Sequence, residues 1–414
     1  MLGEKIYHSD KNVKYLFKEG NPSVKKLLVV FSGYASNTSK IKHPYNYMNV
    51  LSDVNVHKLF ILDDNGATGS YYFGENLNFN VDSSVISLIL YFGRSLGISN
   101  EDIITLGSSK GGTAALYFGL KYKLGAIFAG AFQTRISDYI SSTRSDSSDF
   151  LFNKHDVEMH DSQFNQMNQV ILNLLNTPVL SNLYLISSKN DWQYKNHIKP
   201  FMEQLNDLNI AYDFHLSEEM KNHNEISIYF PIYFRKKIIH ELFNIHISKL
   251  ELDLNEADFQ LSVESINLSR NQYYIDYSYE INTNSTVIVP NVRYTPVVPG
   301  YYNFYLSIKN KDNELLYKKF IEERFYSLEK LEEPITRLSI NEDKLKFEVL
   351  TKSDSNLSYA FYIIENGKVK EKIMYQSSNQ IEVDIVPNYK YRIQYYIMSD
   401  EGYRVVRSSE TITS

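Results

Sequence analysis

A short run of small residues, Gly107-Ser108-Ser109-Lys110-Gly111, with a further glycine at Gly112, has the make-up of a nucleophile's turn. In a G-x-S-x-G run the central serine can sit at the tip of a sharp strand-to-helix turn. Its hydroxyl is then exposed above a helix N-terminus, whose free N–H groups favour developing negative charge. The flanks suit that geometry: 102–106 reads as a short buried strand and 112–121 as a helix. A Gly-rich turn of this kind can also hold a phosphate or nothing, so its partners decide. A serine hydroxyl is a weak nucleophile at neutral pH and needs a base, which an acid must orient. Asp191 closes the apolar run 184–186 in a polar turn, and His223 follows the last strand-like run, ending near Leu216, just before the final helix. The order serine, acid, histidine is the one an α/β-hydrolase requires.

An oxyanion formed at Ser109 needs two donors. The backbone N–H of Lys110 is one expectation. The other is the Tyr34 N–H in the loop after the strand 26–31, with Gly33 allowing close approach. The Lys110 side chain is expected at the surface, where it could meet an anionic acceptor. Asp63 and Asp64 follow a strand and could line the mouth of a substrate pocket, although a turn rich in Asp, Asn and Gly needs no such role. Asp191 could instead cap a helix, leaving Asp213 or Glu225 as the acid. His197 and His215 are rivals of His223, but they lie inside a helix and a strand pattern. The His155 and His160 pair does not have the spacing of helical metal ligands, and no metal is expected.

Positioning these groups takes a doubly wound sheet. Residues 1–248 alternate apolar strands (26–31, 57–62, 102–106, 125–129, 182–186, 211–216) with helices (85–92, 198–205, 226–243), and Pro231 is expected to kink or delay the last of them. Residues 137–176 are a possible lid insertion, with a helix around 167–175. Beyond 248 the apolar period falls to two, as in 345–349 and 389–395. The run Val298-Pro-Gly-Tyr-Tyr is echoed by Val386-Pro-Asn-Tyr-Lys-Tyr. Two small all-β sandwiches of immunoglobulin or fibronectin type III character, 249–332 and 333–414, are therefore expected. With 414 residues, a net charge of −6, no long basic run and no cysteine, the chain has no nucleic-acid footprint, disulfide or thiolate chemistry. No apolar stretch is long enough to span a membrane, and a cytoplasmic protein is expected.

The segments 62–66, 69–72, 107–116, 189–191 and 222–225 together resemble the serine α/β-hydrolase-like proteins of bacterial surface-glycan pathways. Two branches are similar: the accessory Sec-system glycan O-acetyltransferase, and the capsular-polysaccharide biosynthesis family of the XcbB/CpsF type. The resemblance covers about residues 25–245. It implies Ser109, Asp191 and His223 as the catalytic set; where that branch has Glu as its acid, Asp191 is a conservative departure. The secretion branch's long N-terminal extension is absent from this sequence, which favours the capsule or wall-glycan branch. The implied activity is carbohydrate O-acetylation. The same set would serve an esterase or deacetylase, and a third reading is a non-catalytic member of a glycan assembly or secretion complex. No cofactor is expected beyond an acyl donor such as acetyl-CoA. The expected partners are a glycan and, through the sandwiches, proteins of a glycan assembly machinery.

Overall fold

The computed structural model describes residues 3–35, 41–152, 155–255, 258–270, 272–281, 283–326, 334–341, 343–352, 356–399 and 404–414. It divides into two compact units. One holds Met1–Ile247, Ser265–Tyr274 and Ile308–Lys318; the other holds Ser248–Glu264, Ile275–Ser307 and Lys319–Ser414. The expected boundary between sandwiches, 332/333, lies outside the described residues.

The first unit is built on an eight-stranded sheet in the order β1-β2-β4-β3-β5-β6-β7-β8. The strands are β1 (Lys5–Tyr7), β2 (Val13–Lys18), β3 (Leu27–Phe31), β4 (His57–Ile61), β5 (Ile103–Ser108), β6 (Ala126–Gly130), β7 (Asn182–Ser187) and β8 (Asp213–Leu216). β3, β4 and β6 are buried at every position, as the centre of a parallel sheet covered on both faces must be. β1 and β2 were not among the predicted strands. They form an antiparallel edge against β4, where lysines at 5, 14 and 18 break the apolar run. The parallel register sets Ser108 beside Gly130, Gly130 beside Ile186, and Ser187 beside Leu216. The loops leaving β5, β6, β7 and β8 therefore emerge along one rim.

Helices α1 (Asn80–Leu96), α2 (Lys110–Lys121), α3 (Ile136–Thr143), α4 (Ser145–Leu151), α5 (Val157–Gln169), α6 (Lys199–Asp207) and α7 (Ile226–Phe243) complete the unit. Pro231 does not delay α7: the helix begins at Ile226 and runs through the proline, which withholds a single backbone donor. The helix expected around 167–175 lies earlier, as α5, and Leu172–Asn176 is a short 3-10 turn. Ile308–Lys318 belongs to this unit because Leu316 O accepts the Asn55 N–H (2.7 Å) and the Arg235 guanidinium, paired with Asp53, lies 5.6 Å from the Tyr317 ring centre.

The chain after α7 is all β. Its strands are β9 (Ile245–Leu254), β10 (Phe259–Asn267), β11 (Tyr273–Ile281), β12 (Asn284–Ile288), β13 (Arg293–Tyr294), β14 (Gly300–Asn310), β15 (Leu315–Tyr326), β16 (Ile335–Asn341), β17 (Lys344–Leu350), β18 (Leu357–Glu365), β19 (Lys368–Gln376), β20 (Gln380–Asp384), β21 (Lys390–Ser399), β22 (Arg404–Ser408) and β23 (Ile412–Thr413). They form sheets β13-β10-β9, β12-β11-β14-β15, β16-β17-β20 and β19-β18-β21-β22, with β23 on β21. The second pair of sheets repeats the strand order of the first. The repeated Val-Pro motif opens β14 and β21, and in each a tyrosine hydroxyl turns back on the backbone. Tyr302 donates to Val298 O (2.9 Å), and Tyr391 accepts from the Val386 N–H (2.9 Å). Alternating burial along β17 and β21 gives the last pair of sheets a core around Phe347, Phe361 and Tyr395. No helix among the described residues is long and apolar enough to cross a membrane.

Candidate active site

Ser109 stands between β5 and α2 with φ 52° and ψ −127°, a conformation that strains any residue but glycine. The turn persists because its surroundings leave no alternative. The Ser109 N–H donates to Gly130 O at 2.8 Å, and a Cβ on Gly107 would stand 2.2 Å from Gly111 O. A Cβ on Gly111 would likewise stand 2.5 Å from Phe31 O. Ser108, one residue earlier, is held by the Tyr47 hydroxyl at 2.5 Å.

Ser109, His223 and Asp191 meet on the rim. Ser109 Oγ lies 2.9 Å from His223 Nε2, and His223 Nδ1 lies 2.8 Å from Asp191 Oδ2. A carboxylate can only accept, so Nδ1 carries the proton and Nε2 is left to accept from the serine hydroxyl. Asp191 is buried. Its Oδ1 accepts the Gln193 N–H at 2.9 Å, which fixes the carboxylate plane. His223 lies in a one-turn 3-10 segment, His223–Glu225, entered through Asn222. Glu225, one of the substitute acids, accepts from the Lys221 N–H (2.7 Å) and from Asn222 Nδ2 (3.0 Å), which closes that loop. Asp213, the other, is paired with Lys237 (2.6 Å) and the Tyr233 hydroxyl (2.7 Å).

The rival histidines are engaged elsewhere. His215 is exposed on β8 and stacks on Tyr233. His197 is buried, its Nδ1 accepts the Arg135 N–H (3.3 Å), and burial lowers its pKa to about 4, so it stays neutral. His160 is half-exposed beside Asp161 (3.3 Å), and no group of three or more metal-binding side chains occurs among the described residues.

Two glutamines were not foreseen. Gln133, on the loop after β6, donates from Nε2 to Ser109 Oγ (3.3 Å) and to Gln193 Oε1 (2.6 Å). Its own Oε1 accepts from the hydroxyls of Tyr71 (3.1 Å) and Thr113 (3.1 Å). This buried network holds the serine hydroxyl on the histidine side. The only signal in the sequence is a polar pair, Gln133-Thr134, directly after an apolar strand.

The expected anion donors divide. The Lys110 and Tyr34 N–H groups carry no hydrogen bond among the described residues, whereas the Gly33 N–H is taken by Asn46 Oδ1 at 2.8 Å. Gly33 itself lies 3.3 Å from Ser108 O by its would-be Cβ, so its part is close approach. The Lys110 side chain is not at the surface. It is 1% exposed, and its Nζ lies 2.7 Å from Asp63 Oδ2, above the rings of Tyr34 (5.0 Å) and Tyr72 (5.5 Å). Asp63 is buried too, accepting also from the Ser70 N–H (2.8 Å) and hydroxyl (2.9 Å). It is not in the wall of the cavity over Ser109, and it anchors the first turn of α2 to the loop after β4. Asp64 is paired with Lys14 at 2.6 Å and is likewise not in the cavity wall.

The cavity over Ser109 has a volume of about 680 Å³. Tyr34, Tyr47, Tyr139, Arg144 and His223 contribute to its wall. Tyr139 and Arg144 come from the 137–176 insertion. The Arg144 guanidinium stacks on Tyr34 at 4.7 Å, and burial raises the Tyr34 and Tyr47 phenols well above their ordinary range, so both stay protonated donors.

The chain matches no protein-family model and no curated protein. Among solved structures it is similar to the capsule O-acetyltransferase of Neisseria meningitidis serogroup A. That likeness has 24% identity and a TM-score of 0.50 over 57% of this chain and 95% of that one. A form of that enzyme in complex with CoA matches at 23% identity and TM-score 0.50, over 57% of this chain and 96% of that one. The Glycosylation Associate Protein (Gap123) complex of Streptococcus agalactiae matches at 17% identity and TM-score 0.48, over 58% of this chain and 47% of that one. At this identity the N. meningitidis likeness shows a shared fold over 57% of this chain.

Proposed function

We propose that this protein transfers an acyl group, acetyl from acetyl-CoA, to a hydroxyl of a bacterial capsule or cell-surface polysaccharide. The observation that carries this reading is the continuous hydrogen-bond relay Asp191–His223–Ser109 at the floor of a cavity. Ser109 Oγ attacks the thioester carbonyl as His223 Nε2 takes its proton, and the N–H groups of Lys110 and Tyr34 receive the oxyanion. The tetrahedral intermediate expels the thiolate, which takes the proton from His223, and acetyl-Ser109 remains. A sugar hydroxyl then gives its proton to His223 and attacks the ester, and Ser109 leaves with the proton returned. Asp191 keeps the imidazole in one tautomer and stabilises its charged form in both halves. The solved O-acetyltransferase of the same fold holds CoA, which supports a thioester donor as substrate.

We read the paired β sheets as immunoglobulin-like or fibronectin type III-like sandwiches. Their shared strand order and the tyrosine at the start of β14 and β21 support this, and docking to glycan-assembly proteins is the role assigned to them. The test of the catalytic reading is thiol release from acetyl-CoA with and without oligosaccharide. Release that rises with acceptor, together with acetyl mass on the sugar, supports transfer. Release indifferent to sugar identifies an esterase, and no release in either case overturns the acyl-transfer reading.

A further inference from the structure

The chain has one tryptophan, Trp192, and it is 48% exposed beside the catalytic residues. A large apolar ring held open to water in this way points to a ligand more than to the core. The indole is stacked on Tyr139, with ring centres 5.3 Å apart and planes 13° from parallel, and the His197 ring lies 6.4 Å away near a right angle, so neighbouring rings hold the indole while about half of it stays open to solvent. Trp192 follows Asp191 directly, and its ring centre lies 6.4 Å from that of His223. Trp192 and Tyr139 line a second cavity of about 310 Å³, in the range of small-molecule sites. Tyr139 lines both this cavity and the one over Ser109.

The polar groups of this cavity define what fits. Arg135 and Asp138 form an ion pair of 2.7 Å, which leaves the pocket without net charge, and the guanidinium has further donors with no partner among the described residues. The exposed Asn196 amide makes no hydrogen bond among the described residues, and Ser142 adds a hydroxyl. An aromatic wall beside hydrogen-bond donors and acceptors that carry no net charge matches a pyranose, whose C–H face is apolar and whose hydroxyls point outward. A CoA adenine could also stack on indole. However, its long arm separates the base from the reacting sulfur, and the lone cation of this pocket is already paired with Asp138.

We infer that Trp192 and Tyr139 form the acceptor subsite, binding one neutral sugar residue of the glycan so that its neighbouring hydroxyl reaches His223 Nε2. This rests on the acyl-transfer reading for its meaning but not for its measurement. The donor enters the larger cavity, the acceptor this one, and His223 stands where both can reach it.

Because Trp192 is the sole tryptophan, its emission, excited at the red edge where tyrosine is dark, reports on this subsite alone. The probes are neutral hexose and N-acetylhexosamine di- and trisaccharides, with adenosine as a separate arm, each titrated into wild type and Ser109→Ala. A saturable emission change with at least one sugar is expected in both proteins. Calorimetry should show Trp192→Ala weakening that sugar about tenfold or more, while Trp192→Phe, which keeps an aromatic face, recovers most of the loss. If Trp192→Ala does not fold, Asn196→Ala and Trp192→Phe carry the comparison. No emission change with any sugar, or a response to adenosine alone, overturns the subsite. Sugar binding in a protein whose Ser109 never acylates would leave the subsite standing and remove the acyl-transfer reading. Acylation without sugar binding would do the reverse.

Discussion

Replacing Lys110 by methionine removes one half of an ion pair that is closed off from water, with side-chain exposures of 1% for Lys110 and 0% for Asp63. Methionine matches the length of the lysine stem, so the packing is largely kept and the charge is what changes. Leaving one charge of a buried pair uncompensated costs about 3–5 kcal/mol. The Ser70 N–H and hydroxyl still donate to Asp63 at 2.8 and 2.9 Å, which places Lys110→Met toward the lower end, about 3 kcal/mol. Asp63→Asn strands an ammonium whose remaining neighbours are the Tyr34 and Tyr72 rings, and it should cost nearer 5 kcal/mol. At about 2–4 °C per kcal/mol for a domain of this size, the melting temperature falls by about 6–20 °C. The double variant Lys110→Met/Asp63→Asn should cost less than the sum of the two, by about 2–3 kcal/mol of coupling. Urea unfolding, followed by circular dichroism and by Trp192 emission, measures all four proteins. A Lys110→Met protein within about 1 kcal/mol of wild type, or a double variant no better than additive, would refute the buried-pair reasoning.

Three further outcomes are expected. Asp191→Asn should keep the fold but lower acyl turnover by about 10³–10⁴-fold, because the amide favours the wrong imidazole tautomer; a loss under tenfold on a kcat measurement counts against the relay. His197 is held neutral by burial, with its pKa lowered from 6.5 to about 4. The unfolded chain therefore binds that proton first, and the stability neutral His197 provides is complete above pH 6.5 and is lost as pH falls toward 4. The loss amounts to up to about 3 kcal/mol, and His197→Gln should flatten that slope in urea midpoints taken across the window. Gly107→Ala would press a Cβ to 2.2 Å from Gly111 O, so it should abolish Ser109 reactivity and lower the melting temperature together; normal labelling of Ser109 in that variant contradicts the elbow geometry.

The central strands of the parallel sheet were legible because burial on both faces leaves unbroken apolar runs, and three of the predicted runs, 102–106, 182–186 and 211–216, lead into the turns that carry Ser109, Asp191 and His223. The same logic hid β1 and β2, whose lysines belong to an antiparallel edge. Lys110 was misread for a physical reason: a lysine after a nucleophile reads as solvated until its partner is known, and Asp63 lies 47 positions away. Gln133 and Arg144 act through contacts made only after folding, so no local pattern marks them. The Val-Pro repeat was visible in the sequence, but the tyrosine hydroxyl it turns back onto the backbone was not.

The central claim is that Ser109 carries the acyl group. Intact-mass and peptide mass spectrometry after brief incubation with acetyl-CoA, without acceptor, tests it most directly. The account predicts a single acetyl on the peptide containing Ser109, absent in Ser109→Ala, greatly slowed in His223→Ala, and discharged when oligosaccharide is added. An unmodified Ser109 in a folded protein that nevertheless transfers acetyl to sugar would contradict it.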